Sequence, residues 1–298
     1  MSVLELLAAS PGLLVCTCLV VGLLVGSFLN VVIYRLPIIL DRIWKRDSAE
    51  VLNTTVDLPK ETFNLVAPRS ACPACKAPIT ALQNIPLLSY LVLRGRCASC
   101  GIRISPRYPA IEALTGVLTA AVAWKFGYGW QTAAAIVFTW FLIALAFIDI
   151  DTQFLPDDLT LPLMWMGLLL SVWASEASPA PVPVDMRSSI IGAIAGYLSL
   201  WSVYHLFLLI TGRIGMGYGD FKLLAALGAW LGWQMLIPII LFAATVGAIV
   251  GKIMLTVRRQ SPDTHIPFGP FLAAAGWLTL MFGHEVVTGY LGMFAASP

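Results

Sequence analysis

Charged residues are scarce in this sequence. Asp, Glu, Lys and Arg make up 11% of its 298 residues, and there are only three His. Since a soluble domain usually carries about 25% charged residues, an ordinary soluble globular protein is excluded. The Lys and Arg residues form no basic patch of the kind that binds nucleic acid, so we expect no nucleic-acid partner. Residues 1–10 also lack Lys and Arg, so we expect the first apolar run to be retained as a membrane span.

Apolar residues dominate instead, at 59% of the chain with a mean hydropathy of +0.85. This composition, with long apolar runs, predicts an all-α polytopic integral membrane protein with about eight transmembrane helices in a lipid bilayer. The predicted spans are residues 13–33, 109–126, 131–148, 155–173, 188–209, 221–234, 235–257 and 267–291. The sixth is short, at roughly 21 Å against a hydrocarbon core of about 30 Å.

The chain divides into three predicted parts. Residues 1–34 form the first transmembrane helix, residues 35–108 a polar loop, and residues 109–298 a transmembrane core. With the N-terminus outside, sixteen of the 18 Lys and Arg residues lie on or near the cytoplasmic side, and only Lys125 and Arg187 lie outside. The opposite orientation would place almost every positive charge outside, against the positive-inside tendency of membrane proteins.

Two aspartates lie beside apolar runs and on the same predicted face. Asp149 directly follows an uncharged run, and Asp220 follows the glycines of Gly215-Met216-Gly217-Tyr218-Gly219. Paired carboxylates can share a proton, so that one activates a water and the other donates to a scissile carbonyl. This is aspartic-protease chemistry. Asp220 could instead cap a helix, and Asp151 is the fallback partner.

Other polar or small residues could support such a site. Gly217 and Gly219 would allow a substrate peptide to approach the backbone closely, and Lys222 could neutralise part of the acid cluster or extend to the membrane surface. Asn30 and Glu112 lie near the cytoplasmic ends of the first two spans. Each could serve the site directly or only hold helices together.

Four cysteines share the polar loop. They form two Cys-x-x-Cys pairs, Cys72 with Cys75 and Cys97 with Cys100, with 21 residues between the pairs. This spacing predicts a tetrahedral zinc site in a small ribbon-like module inserted after the first helix. Disulfides or unrelated thiols are the alternatives, but disulfides are disfavoured in the cytoplasm. Four protein ligands leave no open position, so the metal would be structural.

These motifs, taken together and in order, carry a resemblance to a known family. The chain resembles the bacterial prepilin peptidases, or type IV leader peptidases. The matching pieces are Gly26–Val31, Tyr34–Pro37, Phe63–Val66, the four cysteines, Asn84–Tyr90, Arg107–Pro109 with Glu112, Asp149 through Asp157, Gly217–Lys222 and Pro267–Pro270.

The resemblance implies an enzyme with two activities. The family removes the short basic leader from prepilins of type IV pili and pseudopilins of type II secretion. It cuts after a glycine on the cytoplasmic side of the bacterial inner membrane. Many members then methylate the new N-terminal residue with S-adenosylmethionine. The resemblance gives the catalytic role to Asp149 and Asp220. In the family the cysteine-rich loop marks bifunctional members, so both activities are expected here.

The substrate implied is a membrane-inserted apolar helix with a basic leader. Its scissile bond would lie at the cytoplasmic interface, the depth expected for the two aspartates.

Two other classes of function stay open. A transporter could use paired acids as a proton relay, although this would leave the cysteines unexplained. A non-catalytic assembly factor could use the cysteine module to bind a partner.

Overall fold

The protein is all-helical, as predicted. The computed structural model describes residues 2–55, 59, 61–173, 184–213, 215–258 and 266–295. Extended pairing within these residues is limited to two isolated bridges, Ala71 with Pro78 and Arg96 with Arg103. The described α-helices are α1 (Val3–Ala9), α2 (Pro11–Val51), α3 (Leu88–Val92), α4 (Arg107–Phe126), α5 (Trp130–Thr152), α6 (Asp157–Ser171), α7 (Met186–Thr211), α8 (Tyr218–Leu231), α9 (Leu236–Arg258) and α10 (Gly269–Ala295).

Each predicted apolar segment coincides with one helix, namely α2 or one of α4 to α10. Four stretches of the described chain are long and apolar enough to cross a membrane: Pro11–Val51, Trp130–Thr152, Met186–Thr211 and Trp233–Met254. A shorter apolar helical stretch covers Gly269–Gly283. The protein therefore has several membrane-spanning helices, and the count of eight spans stays a prediction.

The first long helix extends further than the sequence indicated. We expected a span ending at residue 33 and a loop from residue 35, but α2 continues through Pro37 to Val51, for 41 residues in all. Its polar end contains an ion pair one turn apart, between Lys45 Nζ and Asp41 Oδ2 at 2.7 Å, a spacing that stabilises helices. The polar segment after the span therefore begins as helix, not as loop.

The chain forms two compact units, Met1–Tyr128 and Gly129–Pro298. In the first unit α2 and α4 pack through small residues. A Cβ atom at Gly26 would lie 2.8 Å from Glu112 Cα, and one at Gly22 would lie 2.7 Å from Thr119 Oγ1. These glycines bring the two helix backbones close together, as in many membrane helix pairs. The predicted boundaries at residues 34 and 108 stay a prediction.

The second unit is built around the short helix α8. Every residue of α8 from Leu223 to Leu231 is buried. Its backbone touches α7, because a Cβ atom at Gly192 would collide with the Gly228 carbonyl. On the α6 side, Trp230 Nε1–H donates to the Leu163 carbonyl at 2.7 Å. Since protein surrounds α8, its 14 residues need not reach both membrane surfaces.

The contact between the α7 and α8 backbones generates a prediction for stability. Gly192→Ala should lower the midpoint of thermal unfolding in detergent by several degrees, since crowding two packed backbones costs about 1–3 kcal/mol. Gly12→Ala is the matched control, because a Cβ atom there would have nothing within 4 Å. Equal midpoints for the two variants would contradict the close packing.

Candidate aspartate site and cysteine cluster

Asp149 lies in the last turn of α5 and is buried, with 5% of its surface exposed. Its Oδ2 accepts a hydrogen bond from the Gly269 backbone N–H at 2.9 Å. Gly269 is the first residue of α10, so this N–H has no partner within its own helix. The positive end of the α10 dipole therefore faces the carboxylate.

Gly269 cannot carry a side chain without disturbing the acid. A Cβ atom there would lie 2.7 Å from Asp149 Oδ2 and 3.1 Å from Leu155 Cδ1. A flexible side chain could move away from such a contact, but this carboxylate is held by the same residue's N–H. Glycine at this position therefore permits the hydrogen bond and the close approach together.

Asp220 lies in the first turn of α8 and is also buried, with 6% exposed. Its backbone N–H donates to the Gly217 carbonyl at 3.3 Å, as expected for the first turn of a helix. The carboxylates of Asp220 and Asp149 are near enough for their negative charges to interact. Two acids separated by 71 positions in the chain thus share one region of the second unit.

Leu155 holds the three segments of this region together. A Cβ atom at Gly219 would lie 2.6 Å from Leu155 Cβ, and Gly269 contacts the same side chain, as described above. Leu155 is buried, with 4% exposed, in the turn between α5 and α6. The glycine before Asp220 is thus required for packing against Leu155. Gly217, with φ of −85°, has an extended backbone that any residue could adopt.

Lys222 pairs with a different acid of the cluster. Its Nζ lies 2.7 Å from both Asp157 carboxylate oxygens, which connects α8 to α6. The Asp157 side chain is 51% exposed, so the ion pair is worth at most about 1 kcal/mol. Asp157 and Asp158 occupy the first turn of α6, as expected for acids at a helix N-terminus.

Asn30 and Glu112 lie in the first unit, where each has a structural partner. Asn30 Nδ2 donates to the carbonyls of Gly26 and Tyr108, both at 3.2 Å. Glu112 Oε2 accepts the Leu87 backbone N–H at 2.9 Å. The first residue joins α2 to the start of α4, and the second joins α4 to the polar segment. A direct part in catalysis stays a prediction for both.

His205 stacks within an aromatic group on α7. Its ring centroid lies 4.2 Å from that of Trp201 and 5.1 Å from that of Tyr204. Tyr204 in turn contacts Tyr218 and Phe221 on α8, which lie two positions before and one position after Asp220. These rings support the start of α8.

The four loop cysteines converge in the first unit. The sulfurs of Cys72 and Cys100 are 3.8 Å apart, those of Cys75 and Cys97 are 4.0 Å apart, and all four lie within 4.8 Å of one another. Four thiolates around a zinc ion at about 2.3 Å would be separated by about 3.8 Å. The donor set therefore fits a tetrahedral thiophilic metal, and none of the four is in a disulfide.

The two cysteine pairs are held in nearly identical turns, 25 positions apart. The N–H of Cys72 donates to the Ala77 carbonyl, and the N–H of Cys97 donates to the Ile102 carbonyl, both at 2.9 Å. The residue after each pair has a left-handed backbone, with φ of 59° at Lys76 and 72° at Gly101. Two copies of one turn thus present four sulfurs to a common centre.

Backbone donors favour the thiolate form of one cysteine in each turn. The pKa of Cys97 is lowered to about 6, mainly by the N–H groups of Cys100 and Ser99. The N–H groups of Cys75 and Ala74 lower the pKa of Cys72 in the same way. Such N–H donors to sulfur prepare the turns for a cation, because metal binding requires deprotonated thiols.

Comparison with known proteins decides the family. The model of the bacterial peptidase A24 N-terminal domain matches residues 20–126, and that of the type IV leader peptidase family matches residues 136–252. Two proteins called prepilin leader peptidase/N-methyltransferase, from Stutzerimonas stutzeri and Pseudomonas aeruginosa, are each 49% identical over 291 residues, covering 98% of both chains. The chain belongs to the type IV leader peptidase family. A relative of the same name from Aeromonas hydrophila is 50% identical over 294 residues, again 98% of both chains. No solved structure matches the chain.

The two family models match different segments of the chain, and each segment contains different candidate site residues. The N-terminal model covers the four cysteines with Asn30 and Glu112, and the leader peptidase model covers Asp149 and Asp220. Gly269 lies beyond both segments, although its N–H contacts Asp149.

Sequence reasoning missed the roles of Leu155 and Gly269. Gly269 is the third residue of Pro267–Pro270. This motif supports the family resemblance, but no site residue is predicted from it. A glycine followed by a proline at the start of an apolar run indicates a helix start. This pattern does not indicate which side chain of another segment lies against the glycine.

Proposed function

We propose that this protein is a membrane-embedded aspartic endopeptidase that removes the basic leader from type IV prepilins and type II secretion pseudopilins. It cuts after a glycine and then methylates the new N-terminus. The observation that carries the proposal is the burial of Asp149 and Asp220 together at helix ends of an apolar unit. Relatives about 49% identical over nearly the whole chain, named for both activities, support it.

In the proposed mechanism the aspartates share one proton. Since two nearby carboxylates do not ionise together easily, one remains neutral while the other is charged. The charged acid takes a proton from water as the water attacks the scissile carbonyl. The neutral acid donates its proton to the carbonyl oxygen, and the amine later leaves with a proton. The Gly269 N–H keeps the Asp149 carboxylate in one orientation.

The remaining site residues have supporting roles in this proposal. Lys222 and Asp157 tie α8 to α6, and Gly217 and Gly219 form the start of α8 with Asp220. Asn30 and Glu112 fix α4 and the polar segment. None of these residues is assigned a proton-transfer step.

We assign zinc to the cysteine cluster and S-adenosylmethionine to the methylation step. Cys72, Cys75, Cys97 and Cys100 would hold zinc with no open position, so it would stabilise the loop module and take no part in hydrolysis. The methyl donor follows from the relatives' name, and it would supply the methyl group for the new N-terminal amine.

The proposed location is the bacterial inner membrane with a periplasmic N-terminus. The distribution of Lys and Arg supports this orientation, because sixteen of 18 then lie on or near the cytoplasmic side. The aspartate pair would open at the cytoplasmic interface, where a prepilin with a basic leader and an apolar membrane helix presents its cleavage site.

The central test changes each acid to its amide. Asp149→Asn and Asp220→Asn should each lower the rate of prepilin cleavage by about 10²–10⁴-fold, because an amide cannot exchange the required proton. Cleavage is followed in detergent by the mobility shift of the pilin. Methylation of an already cleaved pilin should be retained, which shows that the variants are folded. Asp158→Asn is the control, and an active Asp220→Asn variant would refute the mechanism.

A second prediction concerns the orientation of Asp149. Gly269→Ala should lower kcat for cleavage by roughly tenfold with little change in KM, since it displaces a carboxylate that acts in the transition state. Gly276→Ala is the matched control in the same helix, where a Cβ atom would lie 2.5 Å from Leu227 Cδ2 and away from the acids. If both variants lose activity in proportion to thermal stability, Gly269 acts only through packing.

The metal assignment is tested by the zinc content of purified protein. We expect one zinc per chain by elemental analysis, lost in Cys72→Ser and retained in Cys16→Ser, which changes an α2 cysteine outside the cluster. Cys72→Ser should also reduce methylation, through loss of order in the loop. A metal-free, fully active wild-type protein would contradict the assignment.

A further inference from the structure

The polar segment between α2 and α4 carries an apolar surface that neither proposed activity explains. Five side chains between the two cysteine turns are exposed, in the short helix α3 and the residues before it: Leu82 (77%), Ile85 (38%), Leu88 (55%), Leu91 (71%) and Val92 (72%). Together we call them the α3 patch. Five exposed apolar side chains within eleven residues, next to a metal module, indicate a surface that binds something.

A hydrogen bond fixes the depth of the α3 patch beside the membrane helices. The Leu87 N–H donates to Glu112 Oε2 at 2.9 Å, and a Cβ atom at Gly26 would lie 2.8 Å from Glu112 Cα. Leu87 is thus joined to a residue that lies level with Gly26. Arg35 lies nine positions after Gly26, or about 13 Å along the helix. A glutamate side chain spans only part of that length, so Leu87 lies on the membrane side of Arg35.

Neighbouring contacts agree with this placement. Asn30 Nδ2 binds the Tyr108 carbonyl at 3.2 Å, which sets the start of α4 level with the last apolar turns of α2. Leu87 itself has φ of 58°, an unfavourable conformation for leucine. The bond from its N–H to Glu112 helps to maintain that conformation.

The sequence that contains the α3 patch is rich in positive charge, and the acid bonded to it, Glu112, accepts the Leu87 N–H. Residues 62–111 contain six Lys or Arg and no Asp or Glu. Arg94, Arg96 and Arg103, which follow the patch in sequence, are all exposed. Apolar side chains followed by exposed cations are the pattern of segments that lie in the interface of an anionic bilayer.

We propose that the α3 patch inserts into the boundary between headgroups and acyl chains of an anionic bilayer. The cysteine module would then be docked on the membrane beside α2 and α4, with its arginines among the lipid phosphates. The occupant is lipid, because the patch is apolar, its segment is bonded through Leu87 to the membrane helix α4, and exposed arginines follow it in sequence. This inference does not depend on the catalytic role of either aspartate.

The test is photolabelling of the full-length protein in nanodiscs of phosphatidylglycerol that carries a photoreactive group on its acyl chain. Peptides covering residues 82–92 should be labelled, as those of α4 are. Leu91→Asp with Val92→Asp should reduce labelling of residues 82–92 roughly tenfold and leave α4 labelling unchanged, which also shows that the variant is folded. Val66→Asp, at another exposed apolar residue of the segment, is the control and should have no effect.

Three results would overturn the proposal, two from labelling and cross-linking of this segment and one from a change of lipid. One is absence of label on residues 82–92 while α2 and α4 are labelled. Another is a photoreactive residue in place of Leu91 that cross-links to a second copy of this chain or to a prepilin, and not to lipid. In phosphatidylcholine nanodiscs the label should decrease, since the attraction between the arginines and anionic headgroups is lost; equal labelling in both lipids would also refute the stated chemistry.

Discussion

The hydrogen bond from Gly269 to Asp149 reflects the main constraint on this structure. A carboxylate among apolar helices is costly unless backbone donors or neighbouring charge stabilise it. The protein meets this constraint by bringing the start of α10 to the end of α5. Because Gly269 has no side chain, the N–H can approach the acid directly, and the turn containing Leu155 fills the remaining space.

The same constraint accounts for the position of α8. Asp220 lies in the first turn of α8, where unpaired backbone N–H groups favour a negative side chain. Glycines on α7 and α8 let the two backbones touch, so a 14-residue helix can be enclosed by its neighbours. Burial of α8 then holds Asp220 at a fixed depth. The contacts that bury α8 therefore also fix the position of Asp220.

In the first unit, hydrogen bonds to charged side chains order a polar segment that has little apolar core. The buried Arg35 donates to the carbonyls of Asn64 and Pro68 at 2.9 and 2.6 Å, and Glu112 accepts from Leu87. The two cysteine turns supply a third fixed point. A charged side chain on each membrane helix thus anchors the segment, and a metal at the cysteines would close it.

Local sequence patterns were sufficient to predict the helices and the cysteine module. Apolar runs are read directly from composition, so the helices coincide with the predicted segments within a few residues. Two Cys-x-x-Cys pairs imply a cluster because a closed metal site needs four ligands. The predicted end of the first helix was wrong, because α2 continues to Val51 through a segment that mixes charged residues with buried apolar ones such as Leu40 and Ala49, and this segment has no continuous apolar run.

The sequence by itself determined that this is a helical membrane protein, which two acids could act together, and which cysteines could hold a metal. These properties depend on residue type and short spacing. Only the tertiary structure decided that Gly269 holds Asp149, that Leu155 separates Gly219 from Gly269, and that Lys222 pairs with Asp157. The partners in these contacts are between 64 and 120 positions apart, and only helix packing brings such residues together.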